Sequence, residues 1–348
     1  MRSVASKVEL LVKIASFVVM IPQELKLNPK IFDTDVEQAP IREGYGKGLL
    51  EAGRVDERIV ALCADLTGST KTDLFAKEFP NRFVQIGVAE QNLAAVASGM
   101  AAMGKIPFIT SYAMFSPGRN WEQIRTTACY NDQPVKIAGS HAGVSVGPDG
   151  GTHQAIEDMA IMRVIPRMTV ISPCDAIEAK KATMEAAKTP HPTYIRLARE
   201  KTPIITTEAT PFEIGKASLL FKPREGKAEV GIIVTGALVY QALMVAQALE
   251  KEGVRISVLN VSTIKPLDKK GIISFARDAR RLVTVEEHQV AGGLGSAVAE
   301  CLVENLPTPI QFVGVRDVFG QSGTPDELIS HYGMDERGIT DAVRRVLS

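Results

Sequence analysis

Cysteine is scarce and scattered. Cys63, Cys129, Cys174 and Cys301 form no close pair of the kind that zinc sites and redox motifs use, so they read as buried thiols of a reducing, cytoplasmic protein. Net charge is absent: 40 basic side chains balance 40 acidic ones, at a sequence pI near 7.0. That removes long-range attraction to nucleic acid or to an anionic membrane. No apolar run is long enough to span a bilayer, because Val8 to Ile21 is interrupted by Glu9 and Lys13. The same stretch lacks the uncharged core and small-residue cleavage site of a signal peptide. Residues 1–40 are therefore read as an extension of unclear status, an N-terminal helix or an early start with Met20 as the rival. Solenoid repeats and low-complexity tracts are missing too.

Several motifs are absent or fail on context. Gly99 to Lys105 (GMAAMGK) starts like a phosphate-binding P-loop, but Ile106 replaces the required Ser or Thr. The run also closes a helix instead of opening one, which makes Gly104 a helix C-terminal residue. GGLG at Gly292 to Gly295 follows a strand, yet Val298 stands where a dinucleotide fingerprint carries a small residue. Gly320-Gln321-Ser322-Gly323 lacks the spacing of a nucleophile elbow, and there is no HExxH.

What is present is a regular alternation. From about Arg58, β-rich runs (RIVALC, RFVQIG, KIPFIT, PVKIAGS, MTVISP, PTYIRLA) take turns with helical stretches such as AEQNLAAVASGMAAM. This predicts an α/β fold with a doubly wound, mostly parallel sheet over residues 41–200. Prolines and threonines in 201–227 mark a linker leading into a hairpin or edge strand. EVGIIVTG, VRISVLNVS and RLVTVEE then open a second, smaller α/β unit over 228–348.

Polar and aromatic residues gather at the predicted ends of strands, where open α/β sheets bind ligands. They are Asp65 and Ser69 in DLTGS, Glu90 in GVAEQN, Tyr112 and Phe115 in TSYAMF, and His141, Asp149 and His153 in SHAGVSVGPDGGTHQ. Singly, each has a bland alternative. A carboxylate suits the start of a helix, aromatics usually pack in cores, and a glycine-rich loop turns.

Together, from about Pro40 onward, the blocks GVAEQN, SHAG and GPDGGTHQ resemble the pyrimidine-binding and C-terminal domains of transketolase, a thiamine-diphosphate enzyme. The resemblance implies that Glu90 hydrogen-bonds N1′ of the cofactor's aminopyrimidine, favouring the imino form that deprotonates C2 of the thiazolium. Such a carboxyl works best in a dry crevice, where burial disfavours its charged form. Tyr112 and Phe115 would stack on the same ring, with Asp65 also at the cofactor. Arg42, Ser69 and Arg199 match positions that bind the sugar phosphate, where arginine offers paired, charge-assisted hydrogen bonds. His141, Asp149 and His153 match residues facing the sugar hydroxyls and carbonyl, with His153 sharing the catalytic role. Gly118 stands where many transketolases carry a third aromatic.

The resemblance also implies what is missing. Thiamine enzymes anchor the diphosphate through Mg2+ or Ca2+ on a GDG motif followed downstream by Asn. This chain has no GDG, and Pro148-Asp149-Gly150 belongs to the sugar-facing loop. The expected arrangement is an α2β2 heteromer, in which a partner subunit carries GDG, holds the metal and shares the cofactor. The reaction implied is transfer of a two-carbon ketol unit between sugar phosphates, as in the pentose phosphate pathway. A deoxyxylulose-phosphate-synthase-like chain, a 2-oxoacid dehydrogenase beta-like subunit and a non-catalytic paralogue remain as alternatives.

Overall fold

The computed structural model describes residues 20–348, so most of the Val8 to Ile21 segment lies outside the described residues. A two-stranded ribbon, β1 (Gln38–Pro40) with β8 (Lys201–Pro203), ties the start of the first unit to its end. The first unit's sheet has seven strands: β2 (Ile59–Cys63), β3 (Phe83–Gln85), β4 (Ile106–Tyr112), β5 (Lys136–Ser140), β6 (Thr169–Ile171), β7 (Thr193–Arg196) and β12 (Thr263–Lys265). They lie in the order β12-β6-β7-β5-β4-β2-β3. All neighbours are parallel except the β12 edge, which runs antiparallel to β6. Every residue of β2, β5 and β7 is buried. Helices cover both faces of a parallel sheet, which is why these strands read as near-continuous apolar runs.

The second sheet is built from β9 (Ser218–Phe221), β10 (Val230–Val234), β11 (Ile256–Asn260), β13 (Leu282–Gln289) and β14 (Ile310–Val315). Their order is β14-β13-β10-β11-β9, and only β9 is antiparallel. The expected α/β class with mostly parallel sheets is what the chain forms.

The two units are joined by more than a linker. β12 leaves the second unit's chain and pairs with β6 of the first sheet. Beside it, Glu178 of the first unit accepts hydrogen bonds from Asn260 Nδ2 at 3.1 Å and Ser262 Oγ at 2.7 Å. Lys265 Nζ donates to the carbonyls of Arg163 (2.9 Å) and Ile165. One apolar core draws Leu62 and Ile137 together with Ile233, Ile272 and Leu294 across this boundary.

The GGLG run acquires a structural role. Glu286, on β13, accepts the main-chain N–H groups of Leu294 (2.7 Å) and Gly295 (2.8 Å) at the start of the Leu294–Asn305 helix. Its carboxylate occupies the helix N-terminus that a bound phosphate would use, and a Cβ on Gly293 would collide with it. Burial pushes Glu286 up to about 7. All four cysteines are free and buried, with the Cys129 thiol raised to about 12 by burial. Among the described residues, no helix is long and apolar enough to cross a membrane.

Candidate active site

Five neighbouring strands deliver the expected residues to one edge of the first sheet. β2 ends at Cys63 and leads to Asp65 and Ser69, while β3 ends at Gln85 and leads to Glu90. β4 ends at Tyr112, β5 at Ser140 just before His141, and β7 at Arg196 just before Arg199. In parallel strands these are all C-terminal ends, so they open on one side.

Contacts then link nearly all of these residues into a continuous series. Glu90 begins the Glu90–Ala102 helix and is 4% exposed. Arg119 Nη1 lies 3.4 and 3.3 Å from its two carboxylate oxygens, and Asn120 Nδ2 donates to its carbonyl at 3.0 Å. The Arg119 guanidinium also sits over the Phe115 ring, 4.4 Å from its centroid. Phe115 and Tyr112 are near-parallel, with centroids 6.3 Å apart. His153 meets both edge-on, at 5.3 Å from Phe115 and 6.4 Å from Tyr112. His141 stacks on Tyr112 at 3.9 Å.

A basic corner lies near enough to act on His141 electrostatically. Arg42 donates to the carbonyl of Arg199 (3.2 Å) and to that of Ser69. Arg199 donates to Val146 O at 2.7 Å and lies 3.8 Å from the Asp149 carboxylate. Burial, aided by Arg42, Arg199 and His153, pushes His141 down to about 3. The ring is therefore neutral near pH 7, with Nδ1 at 2.8 Å from Ser140 Oγ. A neutral imidazole within the field of two guanidiniums can exchange hydrogen bonds with an uncharged hydroxyl or carbonyl while the arginines hold an anion.

Asp65 stands apart. It sits at φ 59°, its main-chain N–H donates to Gln85 Oε1 at 2.8 Å, and none of the described contacts joins its carboxylate to Glu90 or the rings. The lack of an aromatic at position 118 has a steric cause, since any Cβ there would collide with the carbonyl of Met114. Trp121 follows instead, with its indole N–H donating to Ile161 O at 2.8 Å. Among the described residues no cluster of three His, Cys, Asp or Glu is placed to hold a metal.

Two features lie beyond what the sequence signals. Arg119 has no distinguishing mark there, being one basic residue in a polar turn. The other is the support that the second unit gives to the glycine-rich loop. Gln154 Nε2 donates to Val144 O (3.1 Å) and Gln321 O (2.9 Å), and Gly150 and Gly151 pack directly on Ser322 and Gly320. GQSG therefore backs the glycine-rich 143–153 loop and is no nucleophile turn.

A buried carboxyl at a helix start, a near-parallel aromatic pair and a basic corner are the donor set that an aminopyrimidine and a sugar phosphate need. Comparison with known proteins points the same way. The family "Transketolase, pyrimidine binding domain" matches residues 37–204, and "Transketolase, C-terminal domain" matches residues 220–339. The 6-deoxy-6-sulfo-D-fructose transketolase subunit SqwH from Clostridium sp. (strain MSTE9) is 42% identical over 315 residues, covering 90% of this chain and 97% of that protein. A subunit of the apulose-4-phosphate transketolase of Phocaeicola vulgatus is 37% identical over 299 residues, covering 86% of this chain and 94% of that one. A solved split-gene transketolase, described as an inactive beta4 tetramer, superposes with a TM-score of 0.81 at 44% identity, covering 88% of this chain and 98% of the other. The chain belongs to the transketolase family and carries its pyrimidine-binding and C-terminal domains.

Proposed function

We propose that this chain is the C-terminal subunit of a two-subunit transketolase, which moves a two-carbon ketol unit from a ketose phosphate to an aldose phosphate. The observation that carries this reading is the unbroken series of contacts from Glu90 through Arg119, Phe115, Tyr112, His153 and His141 towards the Arg42–Arg199 corner. Thiamine diphosphate, when bound, supplies the carbanion chemistry that neither sugar can reach alone. Glu90 hydrogen-bonds the aminopyrimidine, and Phe115 and Tyr112 give it a flat apolar wall. Arg119 reaches Glu90 from a position 54% exposed, so it can yield the carboxyl to the ring as the site fills. Arg42, Ser69 and Arg199 hold the sugar's terminal anion. His141, Asp149 and His153 address its hydroxyls and carbonyl.

The diphosphate and its Mg2+ or Ca2+ belong to a partner chain with a GDG motif, because this chain has neither that motif nor a metal-binding cluster among its described residues. An α2β2 assembly accords with a cofactor lying between two kinds of domain, and four free, buried cysteines accord with a cytoplasmic setting. The beta4 form of the similar split-gene protein is described as inactive, which accords with a need for the second chain.

The test is reconstitution. Mixed with a GDG-bearing subunit from the neighbouring reading frame, thiamine diphosphate and Mg2+, the chain should transfer a ketol unit from xylulose 5-phosphate to ribose 5-phosphate. Carbon dioxide release from pyruvate, or inactivity in every such mixture, would sink the proposal. Two relatives that are transketolase subunits are named for different sugars, a sulfo-fructose and a sugar phosphate. Profiling sulfonate- against phosphate-ended ketoses would therefore test the assignment of the Arg42–Arg199 corner.

A further inference from the structure

The loop with Asp149 and His153 has little stiffness of its own. Its Val144–Asp149 turn is interrupted at Gly147, and Gly143, Gly147 and Gly150 all have positive φ (91°, 79° and 74°). What fixes it comes partly from outside. Glu287 lies on β13 of the second sheet, 2% exposed, next in sequence to the helix-capping Glu286. Adjacent strand residues point to opposite faces, so the two carboxylates part company. Glu286 turns to its own helix, whereas Glu287 crosses to the first unit and accepts the main-chain N–H of Ser145 at 2.6 Å.

The fit around Glu287 is close at its carboxylate and at its main chain. A Cβ on Gly143 would overlap the Glu287 carboxylate, so only glycine lets the loop pass there. Arg196, at the end of β7, donates to the Glu287 carbonyl at 2.8 Å and fixes where the side chain starts. Glu287 Oε2 has no hydrogen-bond partner among the described residues, so the carboxylate's grip on the loop is through Oε1 alone.

We propose that Glu287 is a positioning residue for sugar binding. Through Ser145 N–H it sets the register of the 143–153 loop and hence where Asp149 and His153 stand. The second unit thereby shapes the substrate side of a site whose first-unit residues hold the cofactor. What Asp149 and His153 face rests on the transketolase reading, but the anchoring of the loop does not.

Hydrogen exchange on the full chain, followed by mass spectrometry of peptides covering 143–153, tests the anchor directly. Glu287→Ala should speed exchange there by ~10- to 100-fold, the range spanned by a charge-assisted bond, with β5 and β10 unchanged. Glu287→Gln keeps an acceptor at Oε1 and should restore most of the protection. Gly143→Ala drives a methyl into the carboxylate while leaving Glu287 in place, so it should loosen the same peptides even if the alanine variant at 287 fails to fold. In the reconstituted enzyme, Glu287→Ala should raise KM for the sugar phosphate ~10-fold, rescued by Gln, with thiamine diphosphate affinity unchanged. Unaltered loop exchange in Glu287→Ala and Gly143→Ala, or equal acceleration in β5 and β10, overturns the proposal. If even the wild-type chain gives no ketol transfer, the transketolase reading fails and the exchange result still decides the anchor.

Discussion

Replacing Arg196 with Met should destabilise the isolated chain more than most single substitutions do. Arg196 is 6% exposed, with its Nε at 2.9 Å from Asp158 Oδ2 and its Nη2 donating to the carbonyls of Ala155 (3.2 Å) and Glu287 (2.8 Å). At 2.9 Å and an effective dielectric of about 20, the ion pair is worth roughly 6 kcal/mol before desolvation is charged against it. Met fills the volume but leaves Asp158 buried, with the Tyr194 hydroxyl at 2.6 Å as its remaining partner at Oδ2 and none at Oδ1 among the described residues. Stranding one partner of a buried pair costs about 3–5 kcal/mol, a large fraction of the roughly 5–15 kcal/mol that keeps a protein folded. Arg196→Met/Asp158→Asn removes both charges and should recover about 2 kcal/mol or more of that loss. Urea unfolding of the isolated chain, followed by circular dichroism and by fluorescence of Trp121, the single tryptophan, measures both values. Coincident curves from the two probes would license two-state treatment of a two-unit chain. A loss below about 1 kcal/mol, or a double variant as weak as the sum of the singles, refutes the claim that this pair is a coupled buried network.

Glu90→Gln should leave folding intact and lower the reconstituted rate by ~10²–10⁴-fold, the usual worth of a positioned proton-transfer group; a rate within twofold of wild type would favour the non-catalytic paralogue. Lys136 is buried in β5, its Nζ donating to Thr189 O at 2.8 Å, Thr189 Oγ1 at 2.9 Å and His191 O at 2.6 Å with no carboxylate among these partners, and burial lowers it to about 7. Between about 7 and the unfolded value of about 10.4 the unfolded chain binds the extra proton, so this group makes stability rise with pH across that window, by up to ~4 kcal/mol. The wild-type-minus-Lys136→Met difference in unfolding free energy should therefore climb from pH 7 to pH 10, and a flat difference would show that the three acceptor oxygens offset the burial and keep the ammonium protonated.

The parts of the site that can be read from the sequence are those with a local signature. Strand runs such as RIVALC are apolar because both sheet faces are covered, so their C-terminal ends, and with them Glu90, Tyr112 and His141, can be placed without knowing the strand order. Arg119 escapes because its importance lies in the Glu90 carboxylate at 3.3 Å, 29 residues back in the chain. β12 escapes for a similar reason: three residues carry no measurable period, and its partner β6 is remote in sequence. Lys136 sits in PVKIAGS, where a lysine in a strand ordinarily means a solvent-facing position; here the side chain runs the other way, to three oxygens beyond the strand's start.

Glu286 and Glu287 show why the division into two units is less sharp functionally than in sequence. In RLVTVEE the acidic pair reads as the polar end of a strand, yet both residues are almost fully buried. A strand can bury two consecutive carboxylates only if each finds donors on its own face, since an unpaired one costs several kcal/mol. The donors they find differ in origin: Glu286 takes two N–H groups from the helix that follows it, and Glu287 takes one from a loop of the preceding unit. The second pairing requires the two sheets to keep a fixed separation to within a hydrogen-bond length, which β12 and the Glu178–Ser262 contact supply by stitching the second unit to the first. The C-terminal unit is thus the wall against which the 143–153 loop is set. On the proposed function, swapping it for that of a distant relative should raise KM for the sugar before it alters the setting of Glu90.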